Sequence, residues 1–314
     1  MDTDKIFISI ASYRDPELLK TVESLINNAD KPELLRIVVF EQNAPEDPSI
    51  KDLYPKSQVL CLQTHYLNAK GPTWARYIIQ QEYADEQYYL QVDSHMRVVK
   101  NWDKKLKHML NLLPTPAVLT QYPPEYKQNE ENLDETIIRS GLYIQGFGIK
   151  DGFTRIQSDI IDYADRRYFP YTSKAWSACF SFSLGTIVKD APYDPNFKHL
   201  FFGEELDITL RLFTRGWYFF SPHETVIFTN FKRTYRRTYW DDIPCKIREK
   251  DEILSRKRLL DRILEKEVNH EYTLGTVRSI QTYMKFADID SFVYHKLAKR
   301  AKTFRRFTKR ELNR

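Results

Sequence analysis

Four short apolar runs, separated by helical stretches and turn signals, fill the chain up to Val92. That alternation restricts it to a mainly parallel sheet with helices on both faces. Lys5 to Ala11 (KIFISIA) reads as a buried strand. Ser12-Tyr13-Arg14-Asp15-Pro16 follows as a loop, and Pro16 suits the first turn of a helix reaching about Asn27. Leu35 to Glu41 is a second strand, Gln58 to Leu62 a weaker third and Tyr88 to Val92 a fourth. A helix from about Thr73 to Glu82 follows the breaker pair Gly71-Pro72. In such sheets ligands gather beyond the carboxyl ends of the strands. Ser12 to Asp15, Glu41 to Asn43 and Asp93 to His95 all fall there.

The pattern then loosens. Asn101 to Leu113 reads as a helix with Trp102, Leu106, Met109 and Leu110 on one face. Pro114 to Tyr126 is proline-rich and reads as irregular, opening a loop-rich insertion to about Asp165 on the acceptor side. Tyr171 to Gly185 is strand-like, Phe201-Phe202-Gly203-Glu204-Glu205 leads into a helix to about Arg215, and Trp217 to Phe220 is a strand. Gly216 ends the helix between them. From Lys232 the sequence is charged and mostly helical, which divides the chain into residues 1–240 and a helical basic extension, 241–314.

At 314 residues, with 42% hydrophobic and 29% charged residues, the chain has the make-up of a folded globular protein. Three scattered cysteines give neither a disulfide framework nor a zinc knuckle. No apolar stretch approaches the roughly 18 residues of a membrane span, and no secretory leader is legible. The reading is a cytoplasmic protein. The net charge of +5 is uneven: nine Lys or Arg against one acid, Glu311, lie between His295 and Arg314. The excess is a tail property and gives no nucleic-acid footprint. Val293, Leu297, Ala301, Phe304 and Phe307 recur there at helical spacing, suiting an anionic membrane surface, a partner helix or packing on the core.

Asp93-Ser94-His95 pairs a carboxylate and an imidazole two residues apart at a strand end, a combination that suits Mn²⁺, with Mg²⁺ as the second choice. Such an ion acts as a Lewis acid on a departing diphosphate. Glu204, Glu205 and Asp207 open a helix; acids there favour the helix dipole by ~0.3–1 kcal/mol, or they face an acceptor hydroxyl as orienting groups or bases. His223, in Ser-Pro-His-Glu-Thr, is a candidate third metal ligand or a surface residue. Arg76 on the helix after Gly71-Pro72 could meet phosphate. Arg233, Arg236 and Arg237 could close over a diphosphate or pair with Asp241 and Asp242.

Four blocks carry a family resemblance: IFISIASYRDPELLKTVESL, GPTWARYIIQQEYADEQYYLQVDSHMRVVKNWD, WSACFSFSLG and HLFFGEELDITLRLFTRGWYFFSPHETVIF. Together they resemble the polypeptide N-acetylglucosaminyltransferases, the family of the cytosolic hydroxyproline N-acetylglucosaminyltransferase. They are more distantly similar to the mucin-type polypeptide N-acetylgalactosaminyltransferases with their Asp-x-His metal motif. The resemblance implies a GT-A nucleotide-diphospho-sugar transferase fold and a UDP-sugar donor, UDP-N-acetylglucosamine above others. It also implies a protein or glycan acceptor and retention of anomeric configuration. On this sequence it makes Asp93 and His95 metal ligands and puts Ser12, Arg14 and Glu41 on the uridine side. Arg76 falls near the nucleotide, Trp176 to Ser181 along the sugar, and Glu204 and Glu205 at the sugar–acceptor junction. A further histidine of the relatives is replaced here within Val226 to Phe231, by Thr229 or Asn230. The resemblance spans roughly residues 5 to 230 and leaves the tail beyond Asp241 outside. Two other readings stay open: an inverting polysaccharide-building transferase with Glu204 or Glu205 as base, and a non-catalytic scaffold.

Overall fold

The structure is a computed structural model and describes residues 4–126, 133–147, 153–266 and 271–290. β1 (Ile6–Tyr13), α1 (Leu18–Asn27), β2 (Leu35–Asn43), β3 (Val59–His65), α2 (Pro72–Gln80) and β4 (Tyr88–Asp93) reproduce the expected alternation. β5 (Met96–Val98), α3 (Trp102–Asn111), β6 (Ala117–Thr120), β7 (Tyr143–Phe147), β8 (Thr154–Gln157), β9 (Tyr171–Thr172) and β10 (Phe180–Leu184) follow. The rest of the described chain holds α4 (Ile187–Asp190), α5 (Glu204–Thr214), β11 (Tyr218–Ser221), β12 (Ile227–Thr229), α6 (Tyr239–Asp242), α7 (Cys245–Ile263) and α8 (Ile280–Ala287).

Eight strands form one sheet in the order β3-β2-β1-β4-β10-β6-β11-β9. The β3–β2, β2–β1, β1–β4 and β6–β11 pairs are parallel, and β10 runs antiparallel to both of its neighbours. Period-two alternation sends Ile6, Ile8 and Ile10 of β1 into the core cluster shared with α1 and α3. Phe7 goes to the opposite cluster with Ala75 and Ile79 of α2 and the body of α5. Each such side chain, fully buried, contributes about 1.5–3 kcal/mol.

Two expectations need correction. Pro114 to Tyr126 is not wholly irregular, because Ala117–Thr120 is an inner strand, β6, paired on both edges. All four of its residues are buried, and a run that short leaves no periodicity to read. The division at residue 240 is not a break in packing either. Leu259, Leu260 and Ile263 of α7 and Ile280, Tyr283 and Met284 of α8 belong to the same core as Phe7 and Trp217. Buried charges reinforce the joint: Arg262 pairs with Asp194 at 2.7 Å and with Asp207 on α5, and Arg258 reaches Asp194 at 2.6 Å. Asp207, at the start of α5, is thereby a structural acid. The amphipathic stripe from Val293 to Phe307 lies outside the described residues. Among those described, no helix is long and apolar enough to cross a membrane.

Candidate functional site

β1 and β4 lie side by side and end together, Ala11 opposite Asp93, so the loops after them share one edge of the sheet. Two other elements converge there. Gly71, at φ +93, turns the chain into α2 and aims Arg76 toward that edge. Gly203, at φ +119, starts α5 so that Glu204 points inward; a side chain there would meet Leu259 at 2.8 Å.

Arg76 is the hub. Its guanidinium donates to Glu204 at 2.5 Å, to Asp93 at 3.0 Å and to the Ala178 carbonyl at 3.2 Å. Tyr193 donates to Glu204 at 2.8 Å and to Gln91 at 3.0 Å, while the Gln91 amide reaches the Ala178 carbonyl at 2.8 Å. Burial works against the Arg76 charge, but Glu204, Tyr193 and Asp93 outweigh it and hold its pKa above the ordinary value. Arg76 is therefore a fixed cation between two carboxylates from distant parts of the sequence.

His95 has its own anchor. Its Nδ1 is 2.8 Å from Asp15 Oδ2, which also accepts from the Ser94 hydroxyl at 2.6 Å. Tyr235 donates to Asp15 at 3.2 Å, and Arg236 lies 3.4 Å from it. Burial alone would raise the Asp15 pKa; the bond from His95, the Arg236 charge and the Ser94 hydroxyl outweigh it and bring it to about 2. Asp15 holds the imidazole by Nδ1, which leaves Nε2 as the ring nitrogen on the Asp93 side. Nε2 lies 3.9 Å from Asp93 Oδ2, a separation that one cation can bridge with modest closure. The pair thus fits as two ligands of a divalent cation, with no third His, Cys, Asp or Glu grouped beside it among the described residues.

His223 is corrected as the third ligand. Antiparallel pairing of β12 with β5 puts Ile227 opposite Val98 and Thr229 opposite Met96, so His223 lies beyond the far end of that ribbon. Its charged neighbours are Glu224 and His108 of α3. The same register carries Asn230 to the position across from His95, where its backbone N–H donates to the His95 carbonyl at 3.1 Å. Residues paired this way share a face of the ribbon. Asn230 is thus the residue whose backbone pairs with that of His95.

Glu205 occupies a second pocket wall. It accepts from the Ala178 N–H at 3.0 Å and from the Tyr122 hydroxyl at 2.9 Å. Burial dominates its environment and lifts its pKa from 4.5 to about 7. The segment expected along the sugar therefore enters through the backbone of Ala178. Trp176 is corrected: its side chain is 2% exposed and lies in the core.

The uridine-side candidates divide. Ser12 is fully buried, with its hydroxyl unpartnered. Arg14 adopts a left-handed φ of 47° and stacks on Tyr66, paired with Asp47 at 2.7 Å and Asp242 at 3.2 Å. Glu41 is held by its own loop: it accepts from the Ser49 hydroxyl at 2.6 Å, the Ile50 N–H at 2.8 Å and the Gln63 amide at 2.8 Å. That makes it a loop anchor here. The strap from Phe231 to Asp242 crosses the edge above these residues, fastened by Tyr235 and Arg236 to Asp15 and by Asp242 to the Tyr13 hydroxyl at 3.2 Å. A pocket of about 370 Å³ opens beside it, lined by residues including Lys70, Trp74, His199 and Ile247.

Sequence reading missed Asp15, Tyr122, Tyr193 and Arg236 as partners. Asp15 carried a signal in its strand-end loop and Arg236 in its basic cluster, though not as a partner of Asp15; Tyr122 and Tyr193 carried none and reach the site from far along the chain.

This sheet order, with helices packed on both faces, is that of a nucleotide-diphospho-sugar transferase fold of the GT-A type. The structure of GalNAc-T7 with UDP, GalNAc and Mn²⁺ superposes with a TM-score of 0.58 at 15% identity, covering 91% of this chain and 55% of that one. The structure of S. aureus TarS 1–349 in complex with UDP-GlcNAc gives 0.52 at 12% identity, covering 84% of this chain and 68% of that one. The chain therefore spans little more than half the length of GalNAc-T7. No curated protein matches in sequence. The profile described as Glycosyltransferase (GlcNAc) matches residues 5–54 and 48–293, so the chain belongs to the GlcNAc glycosyltransferase family. The match also runs through α7 and α8, further than the expected limit near Asp241.

Proposed function

We propose that this chain transfers a sugar from a UDP-sugar to a hydroxyl acceptor, with N-acetylglucosamine as the sugar. The acceptor is a protein residue such as hydroxyproline, serine or threonine, or a glycan. The observation that carries the reading is the convergence of Asp93, His95, Arg76, Glu204 and Glu205 on one strand-end edge of a GT-A sheet. UDP bound to GalNAc-T7 and UDP-GlcNAc bound to TarS support the donor class.

Asp93 and His95 would hold a divalent cation, Mn²⁺ before Mg²⁺, which supplies Lewis-acid neutralisation of a diphosphate. Arg76 fixes Asp93 against Glu204, so both carboxylates keep their directions without rearrangement. Asp15 holds the His95 ring in one orientation. Glu205, between an N–H and a phenol, is a hydrogen-bonding group for a sugar or acceptor hydroxyl. With no separate nucleophile needed for front-face substitution, the reading is retention. One observation favours the inverting alternative: a carboxyl with a pKa near 7 suits a general base.

UDP-sugar hydrolysis, screened across donors with and without Mn²⁺, tests the proposal. Wild type should cleave one N-acetylhexosamine donor and Asp93→Ala should lose most of that activity; undiminished cleavage by the variant sinks the assignment. An NMR measurement of the product's anomeric configuration decides between the two stereochemical readings. We further propose a cytoplasmic protein whose tail contacts a membrane surface; truncation beyond residue 290 should abolish liposome co-sedimentation, and unchanged binding removes the membrane contact.

A further inference from the structure

The face of the central strands that packs on α2 and α5 changes character toward the site. Phe7 of β1 and Tyr89 of β4 stack in the core, ring centroids 5.6 Å apart. One step along the same face, β1, β4 and β10 set Ser9, Gln91 and Ser181 side by side, and the next step on β4 is Asp93. These three polar residues are at most 1% exposed. A sheet that needed only a core would carry apolar side chains there, because a buried amide is unfavourable unless its ends are bonded.

Gln91 has both ends bonded. Its Nε2 donates to the Ala178 carbonyl at 2.8 Å, which turns Oε1 toward the Tyr193 hydroxyl at 3.0 Å. Tyr193 is buried and placed by its own backbone, whose N–H donates to Gln80 Oε1 at the end of α2 at 2.8 Å. The same hydroxyl lies 2.8 Å from Glu204 Oε1, so its hydrogen stands between an amide oxygen and a carboxylate. Both ends of this link are site groups. Arg76 also bonds Glu204 through Oε1, and two donors on one oxygen hold the carboxylate's direction where one would let it pivot. At the other end, the Ala178 carbonyl takes Gln91 and Arg76 while the Ala178 N–H donates to Glu205 at 3.0 Å.

Building on the UDP-sugar reading above, we propose that Tyr193 and Gln91 are positioning residues for the transfer, joining Glu204 to the Ala178 backbone that holds Glu205, so that the two carboxylates keep one spacing. Both lie beneath the site, so their loss falls on turnover and not on donor binding. The test uses the full chain and donor hydrolysis with Mn²⁺, with kcat and donor KM measured separately. Tyr193→Phe removes only the hydroxyl and should lower kcat about tenfold or more, with KM within about twofold of wild type. Gln91→Met, of similar length but with no hydrogen bonds, should do the same. The double variant should lose no more than the worse single variant, because both changes break one link. Tyr283→Phe is the control: it takes a buried hydroxyl from the Lys174 carbonyl, at 2.9 Å on α8, and should leave kcat within about twofold. A kcat kept within about twofold in Tyr193→Phe, a raised KM with kcat unchanged, or losses that multiply in the double variant overturn the inference and leave the donor reading standing. An equal loss in Tyr283→Phe overturns it as well, since any loosening of the core would then suffice. Failure of wild type to hydrolyse any donor overturns the donor reading and this inference with it.

Discussion

Glu205→Gln isolates the most unusual titration in the site. The Glu205 pKa rises from 4.5 to about 7 because burial opposes its charge. The folded protein therefore holds that proton more tightly than the unfolded chain. Its stabilising contribution is fully present below about pH 4.5 and is lost as pH rises through about 7. The whole shift corresponds to about 3 kcal/mol at 1.36 kcal/mol per unit. Glu205 keeps a partly exposed edge, so solvent screening brings the expected effect to about 2 kcal/mol. Glutamine keeps an acceptor for the Ala178 N–H and an amide for Tyr122 but cannot titrate. Urea unfolding at pH 5, 6, 7 and 8, with the two proteins compared at each pH, should show wild type losing about 2 kcal/mol relative to Glu205→Gln between pH 5 and 8. Parallel curves, within about 0.5 kcal/mol across that range, would refute the buried, proton-holding Glu205 and with it a role as base near neutrality.

Asp15→Asn should lower donor turnover about 10–100-fold through the freed His95 ring while the circular dichroism spectrum stays unchanged. It should also flatten the acid limb: the Asp15 pKa near 2 gives stability that is present above about pH 4 and lost toward pH 2, about 2 kcal/mol in all. Arg262→Ala takes from buried Asp194 and Asp207 the cation they share, leaving Arg258 on the first and Arg211 on the second, and should cost about 3 kcal/mol in urea unfolding. Gly203→Ala meets Leu259 at 2.8 Å and forbids φ +119, so it should cost at least about 1 kcal/mol and reduce turnover by moving Glu204; unchanged kinetics would show that the α5 entry does not set the site.

The sheet was legible because β1, β2 and β4 repeat β-rich apolar runs separated by helical spacing, and Asp93 was legible because it stands with His95 at the carboxyl end of such a strand, where ligands gather. Glu204 and Glu205 were legible only as a choice between helix-dipole acids and site acids, and that choice turns on where α5 begins. The inner strand Ala117–Thr120 was not legible, since four buried residues carry no period. Nor was the extent of the core, because the sparse apolar positions of α7 sit among charges that ion pairs with Asp194 and Asp207 neutralise only in three dimensions.

The local sequence determined the order of elements, the strand ends and the presence of Asp93 and His95 two residues apart. Backbone periodicity and turn chemistry act over a few residues, so they can be read in one dimension. Only the tertiary structure decided which partners those groups receive: Asp15 for His95 from 80 residues away, Glu204 for Arg76 from 128 residues away and Asn230 in place of His223. Those pairings depend on sheet register and on desolvation, and both exist only once distant segments exclude water from the same edge.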